Sequence, residues 1–145
     1  MAEKTVVVEL SSERGFRTEC RAGSHTLFID QPKSAGGTDA GPTPLDYQLL
    51  ALGGCISAIS RIVAAQKRLP IRSVKVKVEG TINTDALLGK TTDCRVGFSS
   101  ITATVSLDGE MSAKEKEEFL AEVERRCPIS DNLQHQTPVK VVCAG

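Results

Sequence analysis

The stretch TPLDYQLLALGGCISAISRIVAAQKRLP, residues 43–70, decides the fold. Thr43 is a good N-cap, Pro44 suits the first helical position, and Asp46 complements the helix dipole. Leu69-Pro70 is a stop, so the stretch predicts one long helix from Pro44 to Lys67 or Arg68. Set Cys55 at zero and advance about 100° per residue. Gln48, Ala51, Leu52, Ala58, Ile59 and Ile62 then fall within about 60° of the thiol. Leu49, Leu50, Gly53, Ile56 and Val63 carry apolar or small character around most of the cylinder. A helix apolar nearly all round is a central helix, and a chain of 145 residues has little to cover it with. Pairing with a second copy is an economical cover. Gly53 and Gly54 each cost about 1 kcal/mol against alanine inside a helix, and close approach of two backbones would offset that.

Upstream, residues 4–10 (KTVVVEL) read as a strand. Residues 15–20 (GFRTEC) and 24–30 (SHTLFID) alternate polar and apolar around a turn at Arg21-Ala22-Gly23, as in an antiparallel meander. Residues 31–44 (QPKSAGGTDAGPTP) are a Gly- and Pro-rich loop. Downstream, Val74, Val76 and Val78 alternate with Lys75, Lys77 and Glu79, a half-buried strand over residues 72–82. Residues 83–95 read as a loop and 96–107 as another alternating strand. Ser112 and Glu115 form a capping-box pattern ahead of a helix carrying Phe119, Leu120 and Val123. Cys127-Pro128 ends that helix, Ser130 to Leu133 adds a turn, and Thr137 to Cys143 reads as a last strand. The order β-β-β-α-β-β-α-β, without regularly spaced crossover helices, is an α+β pattern in a single domain over residues 1–145.

Composition narrows the function classes. Eighteen basic and eighteen acidic residues leave no net charge and no basic stripe. One Tyr and no Trp offer little for base stacking, so nucleic acid is not an expected partner. The first residues, MAEKTVVVEL, lack the pattern of a signal peptide. The segment from Leu49 to Ala65 falls short of a clean membrane span because it holds Ser57, Ser60 and Arg61, with Asp46 just before. The expectation is a soluble, cytoplasmic protein without a membrane partner.

The five cysteines, Cys20, Cys55, Cys94, Cys127 and Cys143, are odd in number and irregular in spacing, which argues against a disulfide framework. With only His25 and His135 and no CxxC pair, no zinc site is expected. Cys55, on an apolar helix face, reads either as a small buried hydrophobe or as a reactive thiol. Cys127 precedes a proline suited to a first helical position. It is either the N-cap of a short turn, where free N–H groups favour a thiolate, or simply a helix end. The KEKEE run from Lys114 to Glu118 reads as a solvated helix face.

Two segments together resemble OsmC-like proteins. GGTDAGPTPLDYQLLALGGC, residues 36–55, resembles the Gly-rich loop, the xP dipeptide and the first-cysteine helix of that family. VERRCPISDNLQHQTPV, residues 123–139, resembles its second-cysteine segment. The resemblance implies an OsmC-like fold: an intertwined homodimer with antiparallel sheets packed around two long central helices. It implies a hydroperoxide reductase of the OsmC/Ohr type in oxidative or osmotic stress defence. Cys55 would be the peroxidatic thiol and Cys127 the resolving thiol. No cofactor or metal is implied. The partners are a small hydrophobic hydroperoxide and a dithiol or thioredoxin-like reductant. The sequence departs from the peroxidase pattern at one place. The family's acidic residue, ten positions before the first cysteine, is Leu45 here. Asp46 is adjacent but lies about 180° from Cys55 on a regular helix. Asp46 and Arg17, with Arg14 beside it, are the available candidates for the family's acid–arginine pair; the loop before the helix holds only Lys33. The departure keeps a second reading open: a non-peroxidase OsmC-like dimer that binds a small hydrophobic ligand or responds to redox state.

Overall fold

The computed structural model describes residues 2–145, an α+β chain of antiparallel sheets and helices. It comprises two compact units, Met1–Gln48 and Leu49–Gly145.

In the first unit, β1 (Glu9–Ser11), β2 (Thr18–Ala22) and β3 (His25–Ile29) form an antiparallel sheet in that order. Cys20 pairs with Leu10 on one side and Leu27 on the other. Ala22 pairs with His25, so the hairpin turns on Gly23-Ser24, with Gly23 at φ +60° as a two-residue turn of this kind requires. The loop after β3 is built on a buried carboxylate. Asp30 accepts hydrogen bonds from the main-chain N–H groups of Gln31 (2.7 Å), Thr38 (3.1 Å) and Ala40 (3.1 Å), and from the Thr38 hydroxyl. The Thr38 hydroxyl, then the main-chain donors, hold the Asp30 carboxyl down at about 2 against the cost of burial. The tight path needs glycine: a Cβ at Gly37 would lie 1.9 Å from the Gln31 carbonyl oxygen. The loop delivers the chain to α1 (Pro44–Lys67), whose Tyr47 hydroxyl donates to the Phe28 carbonyl at 2.8 Å.

In the second unit, β4 (Ile71–Thr81) and β5 (Ser100–Gly109) pair antiparallel, with Val76 opposite Val105 and Val78 opposite Ala103. The alternation foreseen for β4 holds: Val76 and Val78 face the core while Lys75, Lys77 and Glu79 are exposed. Leu52, Ile56, Val63 and Ala64 of α1 meet Phe119 and Val123 of α3 (Ala113–Arg126), and Cys127 closes the same core. Among the described residues α1 alone is long and apolar enough to cross a bilayer, but its Leu52–Ile56–Val63 face is occupied by this packing. The Ser112–Glu115 capping box starts α3 as its sequence pattern indicates. The two glycines of α1 separate in role. A Cβ at Gly53 would stand 3.2 Å from Val78 Cγ2, so Gly53 lets the helix lie close on β4, whereas nothing stands within 4 Å of Gly54.

Four expectations need correction. Residues 2–8 form no strand, and pairing begins only at Glu9. Asn83, accepting from the N–H groups of Asp85 and Ala86, caps a short α2 (Thr84–Leu87) where a loop was expected. β5 starts at Ser100, not 96, because the Phe98 ring lies against Gly80 instead of continuing the ladder. Thr137 to Cys143 is not a strand: Val139, Val141 and Val142 are 82%, 96% and 82% exposed. Alternation specifies one apolar face, but a strand also needs a neighbour for its main-chain groups, and the chain supplies none there.

Candidate active site

Cys55 comes from the middle of α1, and Cys127 from the joint between α3 and α4 (Pro128–Gln134). Cys127 ends one helix and starts the next. Its φ of −83° and ψ of 108° break the helical path, and its N–H still bonds to the Glu124 carbonyl at 3.2 Å. Pro128 occupies the first position of α4, where its missing N–H costs nothing. The Cys127 sulfur then accepts from the Ser130 N–H at 3.4 Å, the N-cap role that Cys-Pro indicates.

This kink brings the two sulfurs, seventy-two residues apart, to 2.8 Å of each other. The two thiols are hydrogen-bonded to each other, and the Ile129 N–H also faces the Cys55 sulfur. Cys127 is 1% exposed; Cys55 is half-buried, on the border between the packed and open faces of α1. Ile59, Ile129 and Leu133 pack on the same core around the pair. Burial first, and the hydrogen-bonded Cys127 thiol second, push the Cys55 thiol above the usual cysteine range. The Ile129 N–H opposes them.

A polar tether holds the joint from outside. Arg126 Nη1 donates to Gln66 Oε1 of α1 at 2.9 Å and lies 3.7 Å from Glu122. Gln134 donates to the Ser130 hydroxyl at 2.8 Å. These contacts, and the Ile129 and Ser130 N–H groups, were not read from the sequence. Cys-Pro alone signals them, because a proline at a helix start directs the next two N–H groups back toward the preceding side chain.

The other candidates have different engagements. Asp46 accepts from the Thr43 N–H (2.9 Å) and hydroxyl (2.7 Å), completing the cap of α1. The Arg17 guanidinium lies 4.5 Å from the centre of the Phe28 ring. Leu45 occupies the family's acidic position as an apolar, half-buried residue. His25 is exposed on β3, and His135 ends α4 with Nδ1 3.1 Å from Asp131 Oδ1. Among the described residues no three His, Cys, Asp or Glu side chains gather as metal ligands.

The OsmC-like protein family model matches residues 36–142, which include both cysteines and both segments quoted above. The chain belongs to the OsmC-like family. Solved structures agree in fold. An OsmC-like protein from Mycoplasma pneumoniae is 24% identical, with a TM-score of 0.80 over 92% of this chain and 89% of that one. An organic hydroperoxide resistance protein OsmC from Legionella pneumophila is 19% identical, with a TM-score of 0.69 over 92% of each chain. An organic hydroperoxide resistance protein from Elizabethkingia anophelis is 14% identical, with a TM-score of 0.70 over 92% of this chain and 90% of that one. At these identities the likeness is one of OsmC-like fold. No curated protein matches this OsmC-like chain in sequence.

Proposed function

We propose that this OsmC-like protein is a thiol-dependent peroxidase that reduces organic hydroperoxides through Cys55 and Cys127. The observation that carries the reading is the 2.8 Å approach of a half-buried thiol to a fully buried one. The hydroperoxide resistance proteins of the same fold support it. The Cys55 thiolate attacks the terminal peroxide oxygen; an S–O bond forms, the O–O bond breaks, and the alkoxide takes up a proton to leave as alcohol. Cys127 sulfur then attacks the Cys55 sulfenic acid, forming the disulfide and releasing water. An external dithiol restores both thiols and leaves as its own disulfide. The apolar side chains around Cys55 suit an alkyl or aryl peroxide better than hydrogen peroxide.

The same proposal includes a cytoplasmic homodimer. Val6, Val7 and Val8 at one end and Val139, Val141 and Val142 at the other are all more than half exposed, and so is Leu50 on α1. Exposed apolar runs of this kind are what a second copy would cover. Asp46 and Arg17 remain the proposed acid and arginine on the strength of the family pattern alone.

One observation favours the second reading, a non-peroxidase dimer that binds a small hydrophobic ligand or responds to redox state. Burial pushes the Cys55 thiol up, away from the thiolate that peroxide attack needs. Cumene hydroperoxide consumption with a dithiol reductant separates the two. Cys55→Ser is expected to abolish it, and Cys127→Ser to allow one turnover that stops at the sulfenic acid. Undiminished consumption by Cys55→Ser would refute the peroxidase.

A further inference from the structure

Apolar packing decides which faces of α1 and α3 meet, but not where along α1 the Cys127 joint sits. Ile56 and Val63 of α1 meet Phe119 and Val123 of α3, and such contact is non-directional. Among the described residues, hydrogen bonds from α1 to the joint lie at two places. One is the sulfur pair with the Ile129 N–H. The other is the bond from Arg126 Nη1 to Gln66 Oε1 at 2.9 Å. Gln66 stands eleven residues beyond Cys55, about 16 Å along the helix axis and only about 20° around it. Both links therefore lie on one stripe of α1, and together they fix position along the helix and rotation about it. The Arg126 side chain is braced for this role: it is 30% exposed, with Nη1 3.7 Å from Glu122, whose carboxylate Arg125 grips through two bonds of 2.9 Å. Gln134 of α4 reaches Glu124 of α3 at 3.4 Å and the Ser130 hydroxyl at 2.8 Å, so α4 is tied to α3 and the joint moves as one piece.

We propose that Arg126 and Gln66 are positioning residues for the joining of the two sulfurs: their hydrogen bond holds the Cys127 joint in the register that sets Cys127 beside Cys55. The inference rests on the two-thiol reading above. Neither residue touches the reacting atoms; both act through the placement of Cys127. Sulfur–sulfur bonding tolerates little error in separation, and a misplacement of about 1 Å costs on the order of a hundredfold in rate. Without the Arg126–Gln66 bond the reduced joint samples neighbouring positions on α1, and oxidation must first restore the one that lets the S–S bond form. The contact lies within one chain, so its role is the same whether or not a second copy covers α1.

The test brings the whole protein to equilibrium with reduced and oxidised glutathione, quenches it with acid, and reads the Cys55–Cys127 disulfide by peptide mass after maleimide labelling. In that exchange the glutathione S–S bond breaks, the protein S–S bond forms, and two glutathione thiols are released. The equilibrium constant therefore reports how well the reduced pair is aligned, not which sulfur is reached first. Arg126→Met and Gln66→Leu are each expected to lower it about fivefold, the scale of one hydrogen bond. Neither substitution enters the apolar core, and far-ultraviolet circular dichroism checks that each variant is folded. The double variant should fall no further than either single one. Arg126→Lys, which can still donate to Gln66, should stay within about twofold of wild type. A merely structural contact gives a different result: it is lost equally from the reduced and oxidised forms, so Tm of the reduced protein falls and the constant does not move. That outcome, additive losses in the double variant, or no disulfide between the two cysteines would overturn the inference. A protein giving the expected shifts but consuming no hydroperoxide would lose the peroxidase reading and keep this one. A peroxidase whose constant is unmoved by both substitutions would do the opposite.

Discussion

Replacing each of the adjacent glycines of α1 by alanine should have opposite effects on the stability of the fold. Both substitutions gain about 1 kcal/mol of helix propensity. At Gly54 nothing stands within 4 Å of the added Cβ, so the whole gain is retained by the chain. At Gly53 the Cβ lies 3.2 Å from Val78 Cγ2 and 3.8 Å from Val76 Cγ1. Val78 is β-branched, stiff at χ1, and fixed in register opposite Ala103, so it cannot swing aside. Overpacking of this kind costs about 1–3 kcal/mol, which offsets the propensity gain and leaves a net loss of about 1 kcal/mol. Urea unfolding followed by far-ultraviolet circular dichroism is the assay, because one Tyr and no Trp make fluorescence weak. With a slope of about 2 kcal/mol per molar urea, Gly53→Ala should lower the midpoint by roughly 0.5 M without changing the slope. A midpoint at or above the wild-type value would refute the reasoning. Gly54→Ala reports on the proposed dimer in the same experiment. A raised midpoint marks an open helix face, and a concentration-dependent fall marks a face that a second helix approaches.

Other consequences are checked as directly. Because the Cys55 pKa is raised, the thiol is protonated at neutral pH, and the rate of its first oxidation should climb with pH by nearly tenfold per unit, beyond the usual cysteine range; a plateau below pH 8, measured by stopped flow with cumene hydroperoxide, would contradict this. The Asp30 carboxyl, held at about 2 when folded against about 3.9 unfolded, stabilises the fold fully above about pH 4, and that contribution is lost as the pH falls through 2. Asp30→Asn should therefore lower Tm at pH 7 and lose most of that deficit near pH 2; an equal deficit at both would show that the carboxylate charge is not responsible. Val141→Lys places a charge in a run proposed to lie against a second copy, and should shift sedimentation toward the monomer, while an unchanged dimer would remove that run from the interface.

What the sequence revealed depended on how local each signal was. The bounds of α1 follow from Thr43-Pro44 at one end and Leu69-Pro70 at the other, all within a few residues of the event they cause. The Ser112 cap and the turn after Cys127 are of the same kind. Partnering is not local. KTVVVEL and TPVKVVC have the composition of strands, yet neither finds a neighbour within the chain beyond the pairing that starts at Glu9. The short α2 escaped because four residues carry no periodicity, and Asn83 was its only signal. The approach of Cys55 to Cys127 escaped periodicity too. Helical angles placed Cys55 on an apolar face, but the partner comes from an element seventy-two residues away, and only the resemblance joined the two.

The arrangement also locates the difficult step of the proposed reaction. Sulfur–sulfur joining is prepared in advance: the nucleophile stands 2.8 Å from its target, both helices that carry the pair are packed on one core, and the leaving hydroxyl departs as water. Ionisation of Cys55 is the step with the least support, from the Ile129 N–H against burial and a neighbouring thiol, while Leu45 stands where the family has its acid. If the acid–arginine function is supplied at all, it must come from a side chain able to approach the Cys55 border of α1, and a cation there acts on the first step alone. A device that lowered the Cys55 pKa would therefore speed peroxide attack without altering the geometry that closes the disulfide.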